Sequence, residues 1–155
     1  IFGRYGFSDV LTMFLAMDSY VELYKGGVIP MKEFVGMKRD RDILVRIIVK
    51  KVPIHTVYLS QRNSATDFPV LTVGLEEKKV RIVIGARPQK AMLIEKELKS
   101  SFKFKAEEIE ALAEEVQKLV PTGSNMRASA EYRSHLVKVL TKRALVQVEG
   151  DANEN

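Results

Sequence analysis

The first part of the chain alternates between short apolar runs and turn signals. Residues 10–17 are apolar nearly all round, and Ser8 and Asp9 precede them as a helix-capping pair. The glycine pair at 26–27 permits the positive φ angles of a tight turn between two short alternating stretches. The predicted elements are a helix over 10–17, a hairpin over 20–29 and one helical turn over 31–36.

Four short apolar-rich stretches occupy the middle of the chain and predict strands. In the first of them Ile43, Val45, Ile47 and Val49 alternate with Leu44, Arg46 and Ile48. Pro53 and Pro69 are expected at strand ends or on edges, because proline lacks the ladder donor. The polar stretch 76–79 has the length of a hairpin connection. The predicted strands cover residues 43–49, 55–61, 68–75 and 80–86.

Helical spacing returns in the last third of the chain. Helices are predicted over 90–100, over 105–120 and from Ser129 onwards, the last with a buried stripe of Tyr132, Leu136, Val139 and Leu140. The expected fold class is α+β: an antiparallel sheet of about four strands with three helices on one face, preceded by the helix and hairpin. The charged stretch 38–42 marks the expected boundary, which gives units of 1–37 and 38–150 and a disordered tail over 151–155.

Composition narrows the function classes. At 155 residues and 46% hydrophobic, the chain can bury one core, and it contains no apolar run long enough for a membrane span. It has no cysteine, which excludes disulfides and iron–sulfur ligation by this chain and fits a cytoplasmic location. The net charge is +5, but the basic stretches lack the interleaved aromatic residues of a nucleic-acid interface. A solvated basic surface is therefore favoured. Because it begins with Ile1 and lacks signal-peptide features, we expect a piece of a longer protein.

No constellation of residues predicts catalysis or metal binding. His55 and His135 are far apart in sequence, and the glutamates between 107 and 115 are typical of a solvated helix face. The chain has neither a Walker pattern nor a Gly-x-Gly-x-x-Gly loop. Arg127, Tyr132 and Arg133 permit two interpretations: a clamp for a phosphate or carboxylate, or a lock on a helix start with Tyr132 packed below. The structural interpretation is favoured.

The segment 125–144 resembles the C-terminal signature of the flavoprotein subunit of molybdenum hydroxylases, the family of xanthine dehydrogenase and aerobic carbon monoxide dehydrogenase. The stretches 62–75 and 81–86 are similar to two of the family's strands, and residues 1–11 to a flavin-contacting segment that ends in Ser-Asp-Leu. Asn125 stands where an acid is usual, which removes a charge but keeps a hydrogen-bond acceptor. The matching signature residues are Arg127, Ala128, Ser129, Tyr132, Arg133, Arg143 and Ala144.

The resemblance implies the end of an FAD-binding domain followed by a complete C-terminal domain. In such a subunit, electrons from a partner's iron–sulfur clusters pass through FAD to an acceptor such as NAD. Its partners are a molybdopterin-binding large subunit and a small subunit with 2Fe–2S clusters, and the C-terminal domain covers the flavin and contacts both. The implied FAD neighbours are Gly3, Arg4, Tyr5, Ser8, Asp9 and Leu44. No catalytic residue and no metal ligand is implied.

The sequence departs from the family pattern at two places, and two other functions compete with the one that the resemblance implies. Many members place a lysine near the flavin where this chain has Leu59, Ser60 and Gln61, so the identity of the electron acceptor is left undecided. The glycine-rich loop for the FAD diphosphate is expected upstream of Ile1, so this chain alone should bind FAD weakly or not at all. A non-catalytic protein-interaction module on the same scaffold is the alternative function. Nucleic-acid binding through the basic region is a third and would depend steeply on salt.

Overall fold

The computed structural model describes residues 1–3, 5–38, 41–76, 79–97 and 104–153, without the side chains of 76 and 151–153. Ser8 caps the first helix as predicted, because its Oγ accepts a hydrogen bond from the Leu11 amide at 3.1 Å. The elements are α1 (Asp9–Ala16), β1 (Tyr20–Leu23), β2 (Gly27–Pro30), α2 (Met31–Gly36), β3 (Leu44–Ile48), β4 (Thr56–Arg62), β5 (Pro69–Glu76), β6 (Arg81–Gly85), β7 (Met92–Glu95), α3 (Ala106–Leu119) and α4 (Ala130–Asn153).

The described strands form two antiparallel sheets, which confirms the α+β class. The larger sheet has the order β4-β5-β6-β7 and the smaller one the order β2-β1-β3. The prediction for residues 43–49 was right about the strand and wrong about its sheet, because β3 pairs with β1, with Val21 opposite Ile47. Both side chains face an apolar cluster with α1, and this burial selects the partner. The boundary between 37 and 38 stays a prediction.

The helix predicted over 90–100 is wrong in the described part, where residues 92–95 form β7 instead. Leu93 pairs with Val83, and Ile94 pairs with Ile82. A short apolar run has no periodicity that separates a helix from a strand buried on both faces, so pairing with the edge of β6 decides. Leu93 packs toward the α1 side and Ile94 toward the α3 and α4 side. Residues 98–100, the last part of the predicted helix, lie outside the described residues.

The helices α3 and α4 lie on one face of the larger sheet, as predicted, and α1, from the helix and hairpin that precede the sheet, lies on the opposite face. One face is covered by α3 and α4, whose apolar residues join Val73, Leu75, Ile82 and Ile84 in the main core. The opposite face receives α1, which packs on Val83. In α4, Leu136 and Leu140 are buried as predicted, but Tyr132 is 45% exposed because Arg133 takes the inward position.

Two further expectations concern the C-terminal tail and the absence of a membrane-spanning segment. The backbone of α4 is helical to Asn153, and residues 154–155 lie outside the described residues, so the disordered tail over 151–155 stays a prediction. In the portion of the chain that the structure describes, no helix combines the length and apolarity that crossing a bilayer requires.

Small residues let α1 approach the sheet closely. Gly74 and Gly85 lie on neighbouring strands beneath Thr12, and a Cβ on Gly85 would overlap the hydroxyl oxygens of Thr12 and Thr72. These two hydroxyls are themselves 3.4 Å apart. A larger side chain at Gly85 must therefore push α1 away from the sheet.

We expect Gly85→Ala to lower the free energy of unfolding by about 1–3 kcal/mol, the usual cost of overpacking a filled core. Urea denaturation followed by circular dichroism measures this loss. Gly36→Ala is the matched control, because nothing lies within 4 Å of a Cβ at that position. Adding Thr12→Ala to Gly85→Ala should recover part of the loss, and an unchanged urea midpoint for Gly85→Ala alone would contradict the close approach.

Candidate functional site

The segment predicted to contact the flavin leads into α1. Tyr5 is 65% exposed, and its ring occupies the space that a side chain on Gly3 would need. Ser8 uses its hydroxyl to cap α1. Arg4 lies outside the described residues. Leu44 lies on β3, where it packs against the apolar cluster that α1 forms with the smaller sheet. Contact of these residues with a flavin stays a prediction.

Asp9 belongs to a hydrogen-bonded cluster with two residues of β4. The Tyr58 hydroxyl donates to Oδ1 of Asp9, and Nη2 of Arg62 donates to Oδ2 at 2.9 Å. Burial raises the pKa of Tyr58, and its hydrogen bond to Asp9 raises it further. The hydrogen bond to Asp9 also raises the pKa of Arg62. The Asp9 side chain is therefore held between a phenol that stays protonated at neutral pH and a guanidinium.

Sequence reasoning did not identify Tyr58 and Arg62 as partners of Asp9. Arg62 is part of the quoted family resemblance, but its partner lies 53 positions away. Tyr58 occupies an ordinary polar position in an alternating strand. Alternation predicts which face of a strand a residue occupies, and only the packing of α1 on the sheet determines what it meets there.

The β4–β5 turn extends the cluster toward the N-terminus of α4. Nη1 of Arg62 donates to the Asp67 carbonyl at 2.7 Å, and the Asp67 carboxylate lies 3.5 Å from Nε of Arg127. The Arg127 guanidinium lies 5.1 Å from the centroid of the Phe68 ring. That ring meets the edge of Phe7 with centroids 4.9 Å apart. A cleft of about 270 Å³ is lined by Phe7, Phe68 and Arg127 among others.

Arg133 of the C-terminal signature has a structural role, which confirms the favoured interpretation for that residue. It is 1% exposed, and burial together with the charge of Arg127 lowers its pKa. Asn125 keeps the acceptor expected of it, since its Oδ1 takes hydrogen bonds from the Arg127 amide at 3.0 Å and from Nη2 of Arg133 at 2.6 Å. Arg133 also donates to the carbonyls of Val70 (2.9 Å), Gly123 (2.6 Å) and Ala128 (2.7 Å). The expected packing of Tyr132 below it is wrong.

The acidic face of α3 binds α4. Glu110 lies 2.6 Å from the ammonium groups of both Lys138 and Lys142, and Glu114 lies 2.9 Å from Lys138. The two lysines lower the pKa of Glu110 to about 2. These carboxylates therefore act as ion-pair partners between helices. Among the residues that the structure describes, no three acidic or histidine side chains converge as a metal site would require.

Comparison with known proteins agrees with this architecture. A sequence model of the CO dehydrogenase flavoprotein C-terminal domain matches residues 60–148, more than half of the chain. No curated protein sequence matches the chain significantly.

Solved structures share the fold over nearly the whole chain. Quinoline 2-oxidoreductase from Pseudomonas putida 86 superposes with a TM-score of 0.76 and 14% identity, covering 96% of this chain and 58% of its own. Carbon monoxide dehydrogenase from Hydrogenophaga pseudoflava, in a form lacking the Mo-pyranopterin moiety, superposes with a TM-score of 0.78 and 17% identity. The match covers 93% of this chain and 57% of that one. Reconstituted CO dehydrogenase from Oligotropha carboxidovorans superposes with a TM-score of 0.78 and 12% identity, and the match covers 96% of this chain and 59% of that one.

The chain therefore spans less than three-fifths of the length of each of these structures. At such identities the superpositions establish a common fold, and the sequence match establishes kinship. The chain belongs to the family of the CO dehydrogenase flavoprotein C-terminal domain.

Proposed function

We propose that the chain is part of the flavoprotein subunit of a molybdenum hydroxylase. The subunit takes electrons from iron–sulfur clusters and passes them through FAD to an acceptor such as NAD. One observation carries the proposal: the fold shared with CO dehydrogenase covers 96% of the chain, and so includes most of the segment that precedes the matched domain at 60–148. Asp9 in that segment is bound to the matched domain through Arg62.

The residues present fit one part of FAD. The exposed Tyr5 ring offers an apolar surface, and the first-turn amides of α1 lack intrahelical acceptors. These features suit the ring end of the cofactor, with Gly3, Tyr5, Ser8, Asp9 and Leu44 as its neighbours. The diphosphate has no glycine-rich cradle among the residues of this chain. Bound FAD would supply the redox chemistry, whereas this chain would hold and cover the ring.

The same proposal assigns the partners. The molybdopterin-binding large subunit would hydroxylate the substrate, and the 2Fe–2S small subunit would deliver the electrons. The charged stretch 38–42 and the helices are candidate contact surfaces, although residues 39–40 lie outside the described residues. The cytoplasmic location and the absence of a nucleic-acid partner stay predictions.

We expect this chain alone to bind FAD with a Kd weaker than about 1 μM, because its sequence contains no glycine-rich loop for the diphosphate. A chain extended upstream along its own gene should bind FAD tightly and show a flavin absorption spectrum. Fluorescence titration measures both affinities. FMN is the control ligand. Because it shares the ring and lacks the AMP half of FAD, its affinity should differ less between the extended chain and this one than the affinity of FAD does.

Two results would contradict the proposal in different ways. Micromolar or tighter binding of FAD by this chain alone would show that the missing loop is not needed. An extended chain that is colourless and takes up no added FAD would favour the non-catalytic protein-interaction module.

A further inference from the structure

We propose that Tyr58 and Arg62 are positioning residues, which orient the Asp9 carboxylate and through it the segment that would contact FAD. This inference rests on the proposed function. Neither residue belongs to the predicted cofactor neighbours. Both lie on β4 and act from the sheet side of α1.

The Asp9 carboxylate is held on both of its oxygens. The Tyr58 hydroxyl donates to Oδ1, and Nη2 of Arg62 donates to Oδ2 at 2.9 Å. A carboxylate with a separate charged or hydroxyl donor on each oxygen keeps one rotamer, because any rotation breaks a bond. The first turn of α1 is thereby fixed in rotation about its own axis.

Arg62 is itself immobilised by its remaining nitrogens. Its Nε donates to Ser60 Oγ at 3.2 Å and its Nη1 to the Asp67 carbonyl at 2.7 Å. These two contacts lie on β4 and on the β4–β5 turn, so the guanidinium transmits the geometry of the sheet to Asp9. Lysine has a single nitrogen and cannot make this arrangement.

Magnitudes favour orientation over stability as the role of the cluster. The side chains of Arg62 and Asp9 are 26% and 34% exposed, and ion pairs so accessible to water contribute little to stability. By contrast, α1 has only eight residues and would be marginal in isolation. Its placement depends on contacts such as this one. Thr12, one turn further along, adds a second contact at Thr72.

The test uses the extended chain loaded with FAD. We expect Tyr58→Phe and Arg62→Gln each to weaken FAD binding about tenfold and to shift the absorption bands of the bound flavin, by analogy with partners that orient metal ligands. Arg62→Lys keeps the charge and should recover part of the affinity. Arg46→Gln is the matched control, since Arg46 makes an exposed ion pair with Glu22 in the smaller sheet. It should leave affinity and spectrum unchanged.

Urea denaturation of the same variants separates positioning from folding. The inference is supported if affinity and spectrum change while the unfolding midpoints stay close to the original. It is overturned if the original protein binds FAD and both variants bind it with the same affinity and spectrum. It is equally overturned if affinity falls only in proportion to the unfolded fraction. An original extended chain that binds no FAD refutes the proposed function itself, and this inference with it.

Discussion

Arg133→Met is expected to lower the free energy of unfolding by about 3–5 kcal/mol, because three main-chain carbonyls and one amide oxygen lose their donor. The guanidinium connects β5, through Val70, to the loop that enters α4, through Gly123 and Ala128. These groups come from distant parts of the chain, and methionine supplies no donor for any of them. Since domains are typically stable by about 5–15 kcal/mol, such a loss can leave much of the protein unfolded.

Urea denaturation followed by circular dichroism measures the effect. Arg143→Met is the matched control, since Arg143 is an exposed arginine on the same helix and should change stability by less than about 0.5 kcal/mol. Arg133→Lys should fall between the two, because one ammonium cannot reach four acceptors in different directions. A variant Arg133→Met as stable as the Arg143→Met control would refute a structural role for Arg133.

Arg81→Met is expected to cost a similar amount, about 3–5 kcal/mol, because two buried carbonyls at the end of α1 lose their donor, at about 1–3 kcal/mol each. Arg81 is 2% exposed. Its Nε and Nη2 donate to the Ala16 and Leu15 carbonyls at 3.0 and 2.9 Å, and thus satisfy the C-terminal end of α1. Its Nη1 meets the carboxylates of Asp18, at 3.3 Å, and Glu95.

The loss of stability in Arg81→Met should be largest in α1. Hydrogen exchange of the α1 amides should accelerate in Arg81→Met relative to those of α4, since α1 loses its attachment to the sheet. Lys79→Met is the control: Lys79 approaches the same Asp18 carboxylate at 3.9 Å but from solvent. Equal protection of α1 in Arg81→Met and the original protein would contradict the assignment of Arg81 as the anchor of this helix.

The two arginines illustrate how much of the site could be predicted. Arg133 is recognisable in sequence as part of a signature, and a structural role was favoured for it. Its acceptors were not predictable, because they belong to β5 and to the loop before α4. Arg81 begins a predicted strand and gives no local sign of burial. Asp9 was named from the resemblance alone, and its partners Tyr58 and Arg62 emerged only from the packing of α1 on β4.

Local features were predictable from the sequence alone: the cap at Ser8, the strands β4, β5 and β6, the helices α3 and α4, and the family resemblance. Each depends on neighbours within a few positions. Only the tertiary structure decided that residues 92–95 form a strand, that β3 pairs with β1, and that α1 covers the opposite face of the larger sheet. These outcomes depend on which strand edge or sheet face, distant in sequence, is available for pairing or packing. Local periodicity contains no information about that.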